Sequence, residues 1–250
     1  MILIQKIQKN FKKLEALHQI EAEFYRGQVI SLIGPNGSGK TTLIKTILGL
    51  VKPGSGNISF NGIPITEKVD YRSNIGYMPQ IGRYPDNMKI GQLFSMIRNL
   101  RGNSAVIDEE LFYQFKLDTI LDKNMKALSG GTRQKVSAAL AFMFDPEVLI
   151  LDEPTAGLDP LSSEILKEKV IKEKQKGKLI LITSHVLSDL EELTTDVMYL
   201  QEGKIMFFKP LLKLQEETGE TKLSKVIAHY MKHGLPSGLK VAHINIAKNA

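Results

Sequence analysis

Eight consecutive residues, Gly34-Pro35-Asn36-Gly37-Ser38-Gly39-Lys40-Thr41, fit the spacing G-x-x-x-x-G-K-[ST] in full. The β-rich run "QVISLIG" (28–34) leads into them, and the helical run "TTLIKTILGLV" follows, ended near Gly49 and Pro53. A strand before and a helix after is the context this spacing requires. Without Cβ atoms the backbone can approach closely, so successive amides point inward around phosphate oxygens. The helix that starts near Lys40 adds its positive end and its unpaired N–H groups. Lys40 supplies a point charge for β- and γ-phosphates, and the Thr41 hydroxyl suits Mg²⁺. The loop calls for a nucleoside triphosphate.

The rest of the pattern is α/β as well. "EVLILDEP" (147–154) and "KLILITSH" (178–185) are continuous apolar strands with the helix-spaced "LSSEILKEKVIKEKQKG" (161–177) between them. Strand, helix, strand of this kind predicts a parallel sheet covered on both faces. The charge run "KEKVIKEKQKGK" reads as a solvated helix face. "MILIQKIQKNF" and the alternating "GNISFNG" (56–62) predict a small antiparallel β layer. From about 85 to 145 the spacing turns helical, in "IGQLFSMIRNLRG", "DEELFYQFKL" and "TRQKVSAALAFMF", which predicts an inserted α-helical subdomain over about 82–145. "DVMYLQEGKIMFF" (196–208) reads as a hairpin. Residues 1–210 then form one domain, and 211–250 a short, partly helical C-terminal extension.

Composition narrows the function classes. The charge of +6 comes from lysines spread along 250 residues rather than gathered in one block, which weighs against nucleic acid as a partner. The absence of cysteine excludes disulfides and cysteine-ligated zinc. No apolar run approaches the ~18–20 residues that cross a bilayer, and the N-terminus lacks a signal-peptide pattern. The chain is therefore expected to be soluble and cytoplasmic.

Three further features carry chemistry. Asp152 and Glu153 close an apolar strand, where alternation sends their side chains apart. Asp152 suits Mg²⁺ held through water, and Glu153 suits an attacking water near a γ-phosphate. Ser129, Gly130 and Gly131 open a helix, a second anion-seeking N-terminus in the same chain. His185 ends the strand "LILITSH", at the edge where parallel sheets bind ligands. His18, His229, His233 and His243 read as structural.

The order glycine loop, "YMPQ", "LSGG", "LILDEPTAGLD", "ITSH" resembles the ATP-binding-cassette (ABC) ATPases over nearly the whole chain to about 208. The resemblance implies an α/β P-loop NTPase fold: a mostly parallel sheet flanked by helices, with the small antiparallel layer and the helical insert. It implies ATP and Mg²⁺ as cofactors. The family's glycine loop matches Gly34 to Thr42, its adenine-stacking aromatic Phe11, and its glutamine loop Gln80, a contact for Mg²⁺ or water. Its signature matches Leu128 to Gly131, its magnesium aspartate Asp152, its catalytic glutamate Glu153, the loop lent across the dimer Ala156 to Asp159, and its switch histidine His185. Thr132 stands where the family most often has glutamine, which leaves the phosphate-binding amides unaffected.

In the resembled family two copies pack head to tail, each ATP lying between one glycine loop and the partner's "LSGG". The function implied is an ATP-hydrolysing subunit that drives separate integral-membrane permease subunits, peripheral on the cytoplasmic face. The permease groove would be lined from about Gln80 to Arg101, with Tyr84 and Met88 among its residues. "LSGGTRQK" and "AGLDP" look like the subgroup serving export-type permeases, to which the ATPase of the copper-processing transporter for nitrous-oxide-reductase maturation is similar. The alternative is a soluble ABC ATPase acting on ribosomes or nucleic acid. Such relatives usually carry two cassettes or a coiled-coil insertion, and this chain has neither. A small P-loop GTPase is disfavoured because no N-K-x-D motif occurs.

Overall fold

A computed structural model of the chain describes residues 1–12, 14–66, 69–102 and 106–234; His243 and the end of the C-terminal extension lie outside the described residues. In chain order the elements are β1 Ile2–Phe11, β2 Leu14–Phe24, β3 Val29–Ile33, α1 Lys40–Ile47, β4 Ser55–Phe60, β5 Ile63–Pro64, β6 Ile75–Met78, α2 Ile90–Arg101, α3 Glu110–Gln114, α4 Gly130–Phe142, β7 Val148–Asp152, α5 Pro160–Gln175, β8 Leu179–Thr183, β9 Asp196–Gln201, β10 Lys204–Pro210, α6 Leu211–Thr218 and α7 Leu223–His233.

Alternation along three buried strands sorts the molecule into layers. β3, β7 and β8 are buried at every position. Ile30, Val148, Ile150, Leu179 and Leu181 face one core, shared with α1 and the inner side of β1, β2 and β4. Val29, Ile33, Leu149, Leu151, Ile180 and Ile182 face the other, built with α2–α5. A strand apolar on both sides needs a cover on both sides, and here it has one. The sheet order is β10-β9-β3-β8-β7-β6, parallel except for the β9–β10 hairpin, and the second sheet is antiparallel in the order β2-β1-β4-β5. After Pro210, Leu211, Leu214, Leu223, Val226, Ile227 and Tyr230 join the same core as Tyr199 and Phe207 of the hairpin.

Local differences from the sequence reading have local causes. β4 stops at Phe60 because Asn61 (φ +49°) and Gly62 (φ +81°) turn the chain into β5. The helix expected over 108–117 shrinks to α3, where Lys116 at φ +55° ends it. β2 and β6 are strands that the apolar pattern did not announce. Nor is the charged side of α5 wholly solvated: Lys169 and Glu173 are 2% and 1% exposed. The helical insert lies across them and supplies acids. Lys169 Nζ donates to Asp108 Oδ2 (2.5 Å) and Glu110 Oε2 (2.8 Å), and sits 3.1 Å from Glu173 Oε1. Lys178 pairs with Glu173 and with Asp145 Oδ1 (2.5 Å). Asp108, Asp145 and Glu173 lie close enough to hold an ion, but these ammonium groups already occupy the space between them.

Burial pushes Glu173 up, but hydrogen bonds from Lys178, Lys176 and Lys169 outweigh it and hold the carboxyl below the usual range. A carboxyl depressed by folding adds stability above its ordinary value of 4.5, lost as pH falls through the lower folded value. Unfolding by urea is therefore expected to become easier as pH drops below 4.5. Lys169→Ala removes one of the three ammonium partners of Glu173 and leaves Lys176 and Lys178 in place; it should cost about 1–3 kcal/mol at neutral pH and make that dependence shallower.

Candidate active site

The chain leaves β3 through the glycine loop and enters α1 at Lys40. Two glycines are required by contact. A Cβ on Gly34 would stand 2.1 Å from the Leu200 carbonyl oxygen and 2.8 Å from Ser38 Oγ. Gly39, at φ +105°, would meet the Ala16 carbonyl oxygen at 2.6 Å. Gly39 also occupies the N-cap of α1 without any side-chain cap, so the first N–H groups of that helix are left for another acceptor. Lys40 Nζ donates to the carbonyl oxygens of Gly34 (2.6 Å) and Pro35 (3.0 Å), which holds the ammonium inside the loop. Burial pulls the Lys40 pKa down, against the charges of Glu153 and Asp152, which favour the ammonium form. Ser38 Oγ, in a residue 2% exposed, has no hydrogen-bond partner among the described residues. A buried orphan beside open amides is what an anion cradle leaves behind.

Strand parity places the carboxylates. Asp152 continues the series Val148, Ile150 and so points to the α1 face, toward the loop. Thr183, its neighbour at the end of β8, donates through Oγ1 to Asp152 Oδ1 (2.7 Å) and accepts from Glu153 N (2.9 Å). Glu153 has φ +53°, a left-handed conformation rare outside glycine. Its Oε2 accepts from the backbone N–H of His185 (3.1 Å), and its Oε1 lies 3.4 Å from His185 Nε2. Gln134 Nε2 donates to its carbonyl oxygen (3.2 Å). Downstream, Thr155 Oγ1 donates to Asp189 Oδ2 (2.9 Å), tying the turn after Glu153 to the turn after His185.

These groups share one cleft of about 260 Å³, lined by Phe11, Leu14, Ala16, Asn36, Gly37, Ser38, Gly39, Lys40, Thr41, Thr42, Gln80, Asp152, Glu153 and His185. Gly34 and Pro35 stand behind it and hold Lys40. Phe11 is 47% exposed at the mouth, with Lys9 Nζ 5.1 Å from its ring centroid. Ser129, Gly130 and Gly131 are not in the lining. Ser129 caps α4, its Oγ accepting from Thr132 N (3.2 Å), and Ser129 and Gly130 are exposed. Thr183 and Gln134 were not singled out from the sequence. Thr183 stands two residues before His185, the one signal in the sequence that could have marked it.

A second cavity, about 380 Å³, opens between β6 and the helical insert, with Tyr77, Tyr84, Ile97, Leu100, Arg101 and Phe144 among its walls. Met88, expected in this groove, packs instead on the core of the insert. Burial pushes the Tyr77 hydroxyl up to about 12, and the Asp152 charge adds to that.

A parallel sheet whose carboxyl edge holds a glycine cradle, a lysine and a carboxylate pair defines a P-loop nucleoside triphosphatase. The sequence of residues 17–156 matches the family model described as ABC transporter. The chain belongs to the ABC transporter family, as an ATP-binding subunit and an ATPase. It is similar to the uncharacterised ABC transporter ATP-binding protein YhaQ of Bacillus subtilis, 34% identical over 229 residues, which are 90% of this chain and 76% of that protein. The lantibiotic transport ATP-binding protein SrtF of Streptococcus pyogenes is 34% identical over 209 residues, 84% of this chain and 90% of its own length. A solved ATP-binding subunit of an ABC transporter shares the fold with a TM-score of 0.84 and 27% identity, covering 92% of this chain and 99% of that one. No helix among the described residues is long and apolar enough to cross a membrane.

Thr183→Val leaves the Glu153 N–H only the Thr183 carbonyl at 3.2 Å and strips Asp152 of a donor. It is expected to cost about 1–3 kcal/mol in urea unfolding. ATP turnover should fall while ATP still binds.

Proposed function

We propose that ATP lies between two copies of this chain, its phosphates held by the glycine loop of one and capped by Ser129–Gly131 of the other. The observation that carries this is the separation of the two phosphate-seeking helix ends. The α1 end opens into the cleft, whereas the α4 end is exposed and contributes nothing to the cleft lining. A triphosphate in the cleft has its own chain's α4 end outside the lining, and a head-to-tail pair lets it use both ends. Phe11 offers an exposed ring for adenine. The amides of Asn36 to Thr42 and the Lys40 ammonium take the phosphates.

Thr41, Gln80 and Asp152 present oxygen donors in the same cleft, the donor type that Mg²⁺ selects. The ion supplies charge neutralisation on the β- and γ-phosphates when bound. Glu153 orients the attacking water and accepts its proton, and the imidazole of His185, close to Glu153, hydrogen-bonds the γ-phosphate. The Ser129 and Gly131 end of the partner's α4 stabilises charge on the transferred phosphoryl group, in the place of an arginine finger.

The groove between β6 and the helical insert, with its aromatic and apolar walls, suits an amphipathic helix of a permease. That sets the pair on the cytoplasmic side of a membrane without inserting into it. The permease sets the cargo. Action on ribosomes or nucleic acid is not favoured, because the family matched is that of the transporters and the positive charge is dispersed.

Lys40→Ala should abolish ATP binding or weaken it beyond turnover. Glu153→Gln should keep ATP binding, lose about 10²- to 10⁴-fold in turnover, and run as a dimer on a sizing column only with ATP. Adding Ser129→Arg should return that protein to a monomer that still binds ATP. Wild-type turnover in Glu153→Gln, or a dimer indifferent to Ser129→Arg, would overturn the reading.

A further inference from the structure

Helix α4 faces two ways. Its first residues are exposed, but Gln134 and Ser137, three apart and so on one side, are 5% and 1% exposed. Gln134 Nε2 donates to the carbonyl oxygen of Glu153 (3.2 Å), which also accepts from Ala156 N (3.1 Å). Ser137 Oγ accepts from the Tyr84 hydroxyl (3.0 Å), and Tyr84 is a wall of the groove beside β6. Around Gln134 the helix rests directly on the turn that follows Glu153. A Cβ on Gly131 would stand 2.6 Å from the Gly157 carbonyl oxygen, and Lys135 Nζ donates to Asp159 Oδ2 (2.8 Å).

A glutamate at φ +53° persists only where its surroundings over-determine it. Here both of its backbone polar groups are gripped by side chains. Thr183, in the rigid sheet, holds the N–H. Gln134, on the helix, holds the C=O. Moving α4 against the sheet would therefore rotate the backbone at Glu153 and re-aim its carboxylate. The opposite contact of that helix face, Tyr84, sits where a docked helix would press.

We propose that Gln134 is a positioning residue for Glu153, and that Tyr84, Ser137 and Gln134 carry the state of the groove to the carboxylate through α4. This rests on the reading of Glu153 as the group that activates water.

The test uses the purified full chain with steady-state ATPase kinetics and direct ATP binding. Gln134→Leu keeps the side chain's bulk and removes its donor; Gln134→Met serves if the leucine variant does not fold. The expected result is kcat about tenfold lower with KM and ATP affinity within twofold. In the Glu153→Gln background the same substitution should cost nothing more. Tyr84→Phe, lacking only the hydroxyl, should lower kcat less, and combined with Gln134→Leu it should add nothing to it. Wild-type kcat in both Gln134 variants, a parallel loss of ATP affinity, a further loss on top of Glu153→Gln, or multiplicative effects with Tyr84→Phe would each overturn the proposal. If Glu153→Gln is inactive while the Gln134 variants are normal, this inference fails alone. If Glu153→Gln itself turns over normally, the role of Glu153 fails and this inference with it.

Discussion

Three fully buried strands, β3, β8 and β7, lie side by side and end at the same edge. Such strands cannot end in polar residues cheaply unless those residues find partners or water at once. At this edge they find each other. β3 gives way to the glycine loop, β7 to Asp152 and Glu153, and β8 to Thr183 and then His185. Because β8 lies beside β7 with Thr183 paired to Asp152, Thr183 can serve both carboxylate residues: it donates to the Asp152 side chain and accepts from the Glu153 backbone. The cleft exists because of that strand order, and no one segment could build it alone.

What the sequence could announce was whatever a short window contains. β3, β7 and β8 are continuous apolar runs, and the glycine loop has a fixed spacing, so the centre of the sheet and its ligand edge were legible. β2 was not. Its "LEALHQIEAEF" pairs with β1 through several register shifts, and Lys6 (φ +49°) and Gln19 (φ +48°) break the two-residue period on both strands. β6 is four residues long and includes Gly76, where a Cβ would stand 2.0 Å from the Ala141 carbonyl oxygen. That glycine reflects a close approach by α4, which no local pattern records. Lys169 looked solvated because its acids come from Asp108 and Glu110, far along the chain.

The candidate site divides the same way. Lys40, Asp152, Glu153, Gln80 and His185 were each visible, and the fold brings them to one cleft. The left-handed backbone of Glu153 and its grip by Thr183 and Gln134 were not, since both depend on elements meeting from distant parts of the chain. Positions of charge are written in the sequence; the conformations that aim them are written in packing.

Charge balance then gives the proposed dimer its dependence on nucleotide. Within one chain the cleft sets one ammonium, Lys40, against two carboxylates, Asp152 and Glu153. A triphosphate brings several more negative charges. The loop amides and the α1 end offset part of this, and a helix end amounts to only about half a unit charge. A divalent cation would remove more, yet in the proposed site the γ-phosphate would still face Glu153. A second helix end, brought by the partner's α4, is a compact way to oppose that repulsion without filling the space a water needs. In the proposed dimer the exposed Ser129–Gly131 turn would meet more negative charge with the γ-phosphate present than with Asp152 and Glu153 alone. In such a dimer closure would be favoured by the triphosphate and weakened once phosphate departs, so that the free energy of hydrolysis would appear as the opening of an interface.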